Sequence, residues 1–322
     1  MVTTAIVGCG SIAAEHVRCL AQIEGATVRA YCDVIKERSK DFLHQFGGKY
    51  ATDDVARILR DDAIDALYIC TRTDTHAALA VRGAEAGKCI MMEKPLALTE
   101  DECRAVGEAV EKSGIVFMTA FKLRYYPAVK RAKEHVPRPL LSIAQMMDSR
   151  WADDFWGNDP KEGGGNVLSQ GCHSTDLLYY LHESEPVRVF AEGGNFLHPA
   201  LDIVDTLVAT IQFANGSIAS LAQGDSGRTP LVSKFSFQLL DGIRTAHLHD
   251  RLKRVVLDDG VQTTAHEDPQ EVGMLEESRD FIDAVRRRVP PPITYRDGTR
   301  ATVVLLRAIE SLRSGLPQSI AF

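Results

Sequence analysis

What the sequence lacks narrows its reading first. No apolar stretch reaches the ~20 residues that a membrane-spanning helix needs, and the apolar start TTAIVGCG has no basic segment ahead of it. That start reads as a strand, and no membrane partner is expected. Lys and Arg never gather into a block: the basic runs in RVVLDDG and VRRRVPPP are short, and the formal net charge is −7. Neutralising phosphates takes clustered cations, so no nucleic-acid partner is expected either. The seven cysteines (Cys9, Cys19, Cys32, Cys70, Cys89, Cys103 and Cys172) are odd in number, scattered, and form no Cys-x-x-Cys pair. They read as reduced thiols, which points to a cytoplasmic protein. Histidines do not group with them at zinc spacing, so no metal site is expected. His247 and His249, two apart in AHLHD, would share one strand face and read as solvent-exposed.

What is present is ordinary globular material, 45% hydrophobic and 25% charged over 322 residues, enough for a sizeable core and two domains. The early part alternates short apolar runs (TTAIVGC, ATVRAYCD, AIDALYICT, KCIMMEKP, IVFMTAF) with helical patterns at 13–23, 36–46, 55–59, 76–86 and 100–112. Gly25, Gly47, Gly87 and Gly114 stand where helices should stop. This is the pattern of a doubly wound parallel sheet, a Rossmann-type α/β domain assigned to residues 1–122. Beyond it the helical pattern in YPAVKRAKEHV ends at PRP, and extended runs dominate: LLSIAQMMDSRW, VRVFAEGGNF, DTLVATIQF, GSIASLAQGD and KFSFQLLD. An Asn-Gly pair in FANGSIASL marks a hairpin. Helices are expected at 166–181, 274–289 and 299–314. Residues 123–322 are assigned to an α+β domain with a large, mostly antiparallel open sheet.

The first strand is followed by Gly8-Cys9-Gly10-Ser11-Ile12-Ala13, a GxGxxA turn opening a helix. Gly8 permits the tight turn, Gly10 lets a pyrophosphate approach the backbone, and Ala13 allows close helix-to-strand packing. The helix N-terminus then favours the anion. Asp33 ends the second strand, 23 residues after Gly10, where a carboxylate can bind the adenosine ribose hydroxyls. It would repel a 2'-phosphate, so NAD is the expected cofactor; Lys36 and Arg38 nearby leave NADP open. The bland alternative makes the glycines a structural turn and Asp33 a helix N-cap.

A second site begins where KCIMM ends in Glu93-Lys94-Pro95, at the carboxyl edge of the sheet. A Lys there is a candidate acid or donor toward a substrate oxygen, with Pro95 fixing the turn, as a cis peptide in one version. A surface Lys opening a loop is the alternative. The second domain holds Gly163-Gly164-Gly165 before a helix on which Ser169, His173 and Asp176 share one face. That polar stripe reads as a pocket wall, with His173 exchanging a proton and Asp176 orienting its ring. A satisfied core histidine is the alternative. The segment 151–161 carries both tryptophans, Trp151 and Trp156, and reads either as a lid stacking on a sugar ring or as core anchors.

The blocks AIVGCGSIAAEH, YCDVIKERS, CTRTDTH, MMEKPLALT, AFKLRYYPAVKRAKE, GGGNVLSQGCHSTDLLYYL and RDGTRATVVLLRAIESLRSGLPQSI, in that order over nearly the whole chain, resemble the Gfo/Idh/MocA family. That family includes glucose-fructose oxidoreductase and inositol dehydrogenases. The resemblance implies that Lys94 contacts the reacting oxygen and helps orient the nicotinamide, and that His173 is the general acid/base. It implies direct hydride transfer at nicotinamide C4, with Glu93 placing Lys94 or the nicotinamide ribose. Thr71 and His76 fall in a loop near the cofactor, and Arg124 beside the pocket. Three positions depart from the family pattern: Ser169 replaces a frequent Asp, Arg72 a usual Pro, and Lys122 a common Asn. Ser169 would bind a substrate hydroxyl, Arg72 a phosphate or acidic group or merely solvent, and Lys122 would add a cation near the pocket.

The expected activity is therefore NAD(P)-linked hydride transfer to or from a secondary alcohol of a sugar, cyclitol or related polyhydroxy substrate. The rivals are an NAD-dependent glycosidase or sugar-to-sugar oxidoreductase that keeps its cofactor bound, and a non-catalytic sugar or dinucleotide sensor. The resemblance implies a homodimer or homotetramer, and the second domain's sheet has a potential part in it, since an uncovered sheet face meets solvent or another subunit.

Overall fold

The computed structural model describes residues 1–228, 232–268 and 273–322. The chain divides into two compact units, Met1–Lys122 with Gly273–Thr299, and Leu123–Val272 with Arg300–Phe322.

The first unit runs β1 (Val2–Val7), α1 (Ser11–Leu20), β2 (Ala26–Cys32), α2 (Lys36–Phe46), β3 (Tyr50–Thr52), α3 (Val55–Leu59), β4 (Ala66–Ile69), α4 (His76–Glu85), β5 (Cys89–Met92), α5 (Glu100–Ser113) and β6 (Phe117–Thr119). Its six strands are all parallel, in the order β3-β2-β1-β4-β5-β6. That is the dinucleotide-binding order, with its reversal between β1 and β4, so ligands belong at the carboxyl ends of those strands. Apolar side chains of the central strands, among them Val7, Leu67, Ile69, Ile90 and Met92, form one buried cluster with Val106 of α5. Helix α5 starts on a capping box, in which Thr99 Oγ1 accepts from Glu102 N–H and Glu102 Oε2 accepts from Thr99 N–H. It stops at Gly114 in the left-handed region, as the glycine foretold.

One boundary differs from the sequence reading. Residues 273–299 had been assigned to the second domain, but α8 (Gly273–Arg287) packs with the first unit. The physical reason is a shared apolar contact: Phe281, fully buried, meets the buried Tyr68 ring edge-on with centroids 5.5 Å apart. The start of α9 (Tyr295–Ser314) follows it, with Gly298 so close to Thr119 that a Cβ would stand 2.6 Å from its Oγ1.

The second unit contains α6 (Pro127–His135), β7 (Leu141–Met147), α7 (Gly165–His182), β8 (Pro186–Gly194), β9 (Thr206–Phe213), β10 (Ile218–Gly224), β11 (Phe235–Leu240), β12 (Thr245–His249), β13 (Arg254–Asp258), β14 (Thr263–Glu267), the body of α9, and β15 (Gln318–Ser319). The strands form one sheet of nine, β14-β13-β12-β11-β7-β10-β9-β8-β15, antiparallel except where β10 lies parallel to β7. The Asn215-Gly216 pair makes the expected hairpin between β9 and β10, with Gly216 at φ +88°. Helix α7 crosses the inner face of β7 and β10, where Gln223 of β10 donates to Asn166 and lies by Ser174. On the outer face Ile143, Val208 and Ile218 are exposed, and β9, β10, β7 and β11 carry no charged side chain there. His247 and His249 do share that face on β12, half-buried rather than exposed, with ring centroids 5.1 Å apart.

All seven cysteines are free thiols, and Cys9, Cys32, Cys70, Cys103 and Cys172 are buried. Among the described residues, no helix is long and apolar enough to cross a membrane.

Candidate active site

At the switch point the glycine turn behaves as its chemistry requires. Gly8 has φ +89°, and a Cβ there would stand 2.6 Å from the Cys70 carbonyl oxygen, so any side chain would drive β1 and β4 apart. Gly10 is extended, and a Cβ there would meet nothing within 4 Å: the ground in front of it is open. Helix α1 begins at Gly10 with no side-chain cap, so the N–H groups of its first turn, at Ser11 and Ile12, suit an anion backed by the helix dipole. Asp33 is the partner of this turn. Its Oδ2 accepts the Cys9 N–H at 2.8 Å and its Oδ1 the Ile35 N–H at 2.8 Å. Two carboxylate oxygens offer about four acceptor positions, so the ribose hydroxyls of a dinucleotide fit the lone pairs that remain. Cys9 contributes through its backbone; its buried thiol is pushed far up, first by burial and then by the Asp33 charge. Lys36, the nearer cation, pairs with Asp53 at 3.4 Å.

The loop after β4 and the turn after β5 are tied together. Thr71 is half-buried, Arg72 is exposed, and the buried His76 opens α4. Both His76 ring nitrogens meet backbone carbonyls, Nδ1 that of Pro95 at 2.8 Å and Nε2 that of Thr71 at 3.2 Å. Burial lowers the ring's proton affinity despite those carbonyls, so His76 is a neutral brace. Its single N–H donates to one of these two carbonyls and so ties the start of α4 to a neighbouring loop. The Lys94–Pro95 peptide is cis, and Lys94 is half-buried rather than a surface residue. Glu93 is buried, and burial alone would raise its carboxyl. The His16 hydrogen bond and the charges of His16, Lys94 and Lys122 outweigh burial and hold it at about 2. Half-buried Lys122 thus acts on this turn from the end of the unit.

In the second unit, Gly163 lies so close to Gly157 that a Cβ would stand 2.4 Å from the Gly157 Cα, which folds the segment before α7 against itself. Helix α7 is buried on nearly every side, and Ser169, His173 and Asp176 are 8%, 7% and 2% exposed. His173 sits edge-on to Phe235, centroids 6.2 Å apart. Asp176 grips Arg124, a partner the sequence reading did not foresee, with Nε to Oδ2 at 2.9 Å and Nη2 to Oδ1 at 2.5 Å. The Arg124 guanidinium also lies 5.3 Å over the Tyr180 ring. Two residues expected to touch substrate are thus ion-paired, and the reason is burial, since a charge there needs a partner. Trp156 opens a short 3-10 turn, half-buried beside Phe155, which packs on Trp151.

Two histidines of these neighbourhoods escaped the sequence reading. His16 lies on the buried face of α1 with Ala13, Val17 and Leu20, and its signal was a polar residue interrupting an apolar stripe. His198 is fully buried, with Nδ1 2.6 Å from Asp153 and Nε2 3.0 Å from Asp225. Asp225 also accepts the Trp151 N–H, so His198 ties the tryptophan segment to the end of β10. Nothing local in the sequence marks it.

The strand order, the glycine turn and the acid that ends β2 define the first unit as a domain of the dinucleotide-binding class. Residues 2–121 match the model of the Gfo/Idh/MocA oxidoreductase family, NAD-binding Rossmann fold, and residues 138–230 match the Gfo/Idh/MocA C-terminal domain. The chain belongs to the Gfo/Idh/MocA family of NAD-binding oxidoreductases. Two proteins of Bacillus subtilis (strain 168) are similar over nearly the full length. One, the uncharacterized oxidoreductase YrbE, is 27% identical over 99% of this chain and 96% of its own. The other, scyllo-inositol 2-dehydrogenase (NAD(+)), is 26% identical over 98% and 95%. Among solved structures, levoglucosan dehydrogenase in complex with NADH and levoglucosan shares the fold with TM-score 0.91, at 21% identity and 100% coverage of both chains.

Proposed function

We propose that the protein is an NAD-linked dehydrogenase acting on a secondary alcohol of a cyclic polyol or sugar. The observation that carries this reading is the Asp33 carboxylate, aligned by the Cys9 and Ile35 N–H groups beside the open ground at Gly10. A carboxylate in that place favours a ribose diol over a 2'-phosphate, which supports NAD over NADP. When bound, the nicotinamide supplies the hydride acceptor at C4.

The chain's own groups supply the rest. Lys94 donates to the reacting oxygen and steadies the alkoxide character that develops there. His173 exchanges the hydroxyl proton, and Ser169, one turn before it, binds a neighbouring hydroxyl. Ser169 stands where many relatives of this family carry Asp, so the proton passes through His173 without a second carboxylate on that turn. Arg124 and Asp176 hold α7 in place. The names of the similar proteins, a scyllo-inositol and a levoglucosan dehydrogenase, support cyclic polyhydroxy compounds as the substrate class.

The test is a panel of cyclitols, anhydrosugars and pentoses with NAD and NADP, followed at the nicotinamide absorbance, with Lys94→Ala alongside. Turnover of at least one cyclic polyol with NAD is expected, and in Lys94→Ala it should fall by ~10²-fold or more while NADH binding persists. Unchanged turnover in that variant would sink the assignment of Lys94.

The uncharged outer face of the four central strands β9, β10, β7 and β11 supports a homodimer or homotetramer. Exposed Ile143, Val208 and Ile218 would lose water contact there, and no charged side chain on the central strands opposes pairing.

A further inference from the structure

The Glu93-Lys94-Pro95 turn is held by its side chains as well as by the sheet. His16 Nε2 lies 3.0 Å from Glu93 Oε1, while Glu93 Oε2 faces the Lys94 N–H at 3.2 Å. His16 is fully buried. Its ring is fixed from behind by the edge of Tyr68, centroids 5.2 Å apart, and Tyr68 in turn by Phe281 of α8. Helix α1 carries His16 and also presents its N-terminus beyond Gly10, so one helix serves the glycine turn at one point and Glu93 at another.

We propose that His16 is a positioning residue for Lys94: it holds Glu93 as a buried carboxylate against the lysine turn. For its catalytic consequence this rests on the reading of Lys94 given above; the pairing itself is a property of the protein without ligand. The argument is electrostatic. A carboxylate without solvent is stable only if hydrogen-bonded or paired, and the ionisable groups facing Glu93 are His16, Cys70, His76, Lys94 and Lys122. Cys70 is held as a neutral thiol by burial and by Glu93 itself, and His76 as a neutral ring. The Lys94 backbone N–H donates to Oε2, the Lys94 and Lys122 charges add to it, and His16 contributes a side-chain hydrogen bond to Oε1 as well as a charge. Remove His16 and burial dominates: Glu93 takes up a proton, and the lysine turn loses the anion beside it.

The test uses the ligand-free protein and two variants. His16→Phe keeps the ring and the Tyr68 contact but not the N–H, whereas His16→Gln keeps a donor at similar reach. Competitive acetylation of Lys94 with acetic anhydride at pH 8, read by mass spectrometry, reports the fraction of neutral amine. Labelling is expected to rise about threefold or more in His16→Phe, as the anion beside the lysine turn is neutralised, and to stay near wild type in His16→Gln. The thermal midpoint gives an independent reading. In the wild type Glu93 lies below its unfolded value of about 4.3, so its stabilisation is present above about pH 5 and lost as pH falls toward 2. In His16→Phe its folded value lies above the unfolded one, so the deficit against wild type should widen as pH rises from about 4 to 8. Parallel midpoint curves, or unchanged Lys94 labelling, would overturn the proposal. Should His16→Phe fail to fold, Glu93→Gln makes the same comparison, because a neutral amide there must raise Lys94 labelling as well. Unchanged turnover in Lys94→Ala would remove the catalytic reading and leave these two measurements standing.

Discussion

Arg124 and Asp176 meet through two parallel hydrogen bonds, 2.9 and 2.5 Å long, with the arginine side chain 9% and the aspartate side chain 1% exposed. Residues 52 positions apart in sequence thereby fix the start of the second unit to the middle of α7. Breaking a buried pair from one side strands the other charge. Asp176→Asn or Arg124→Met should each cost about 3–5 kcal/mol in urea unfolding, and the double variant Arg124→Met with Asp176→Leu much less than their sum. Additive losses would show that the pair is not coupled.

Cofactor choice rests on Asp33. Replacing it with Ser and Val34 with Arg removes the carboxylate and supplies a cation, so the ratio of kcat/KM for NAD over NADP should fall at least about tenfold, a change of about 1.4 kcal/mol. A ratio that did not move would mean that the adenosine ribose is read elsewhere.

His173→Ala should lower kcat by about 10²–10⁴-fold and abolish the near-neutral limb in the pH profile of kcat/KM. A variant that kept that limb would assign the titrating group to another residue.

His198 gives a pH dependence of opposite sense to the carboxylates. Burial would lower its affinity for a proton, but Asp225 and Asp153 outweigh burial and raise it, with Arg150 opposing and Asp205 accepting the His198 backbone N–H. Its stabilisation is therefore complete below the unfolded value of about 6.5 and is lost as pH rises through the raised folded value. Amide exchange in residues 151–158, corrected for intrinsic rate, should quicken over that range in the wild type and lose this pH dependence in His198→Gln.

Ile143→Glu on the outer sheet face should shift the mass measured by light scattering toward the monomer without unfolding the chain, since Ile143 is 45% exposed. Wild-type protein that is already monomeric would refute the proposed assembly.

Much of the first unit was legible because its residues are dictated by backbone geometry. Gly8 is forced by a positive φ and by the Cys70 carbonyl, and Asp33 by the end of β2. Strands β3 and β14 were missed for different reasons: three residues are too few to show a period, and TTAHE is largely exposed and has no apolar alternation. The pairing of Arg124 with Asp176 was not legible either. Both were singled out, yet polar residues on one helix face look the same whether they meet a ligand or a distant arginine. His76 shows the same ambiguity, its position noted and its partners Pro95 and Thr71 unforeseen. A helix at 274–289 was expected, but not that Tyr68 of the first sheet receives its buried face.

The placement of α8 also bears on how the molecule is made. Phe281 reaches Tyr68 only after some two hundred intervening residues have been synthesised, so a nascent chain carries its first sheet through most of translation without the helix that covers Tyr68. A fragment cut at residue 122 would leave that aromatic surface bare, and such a fragment should aggregate where the intact chain does not.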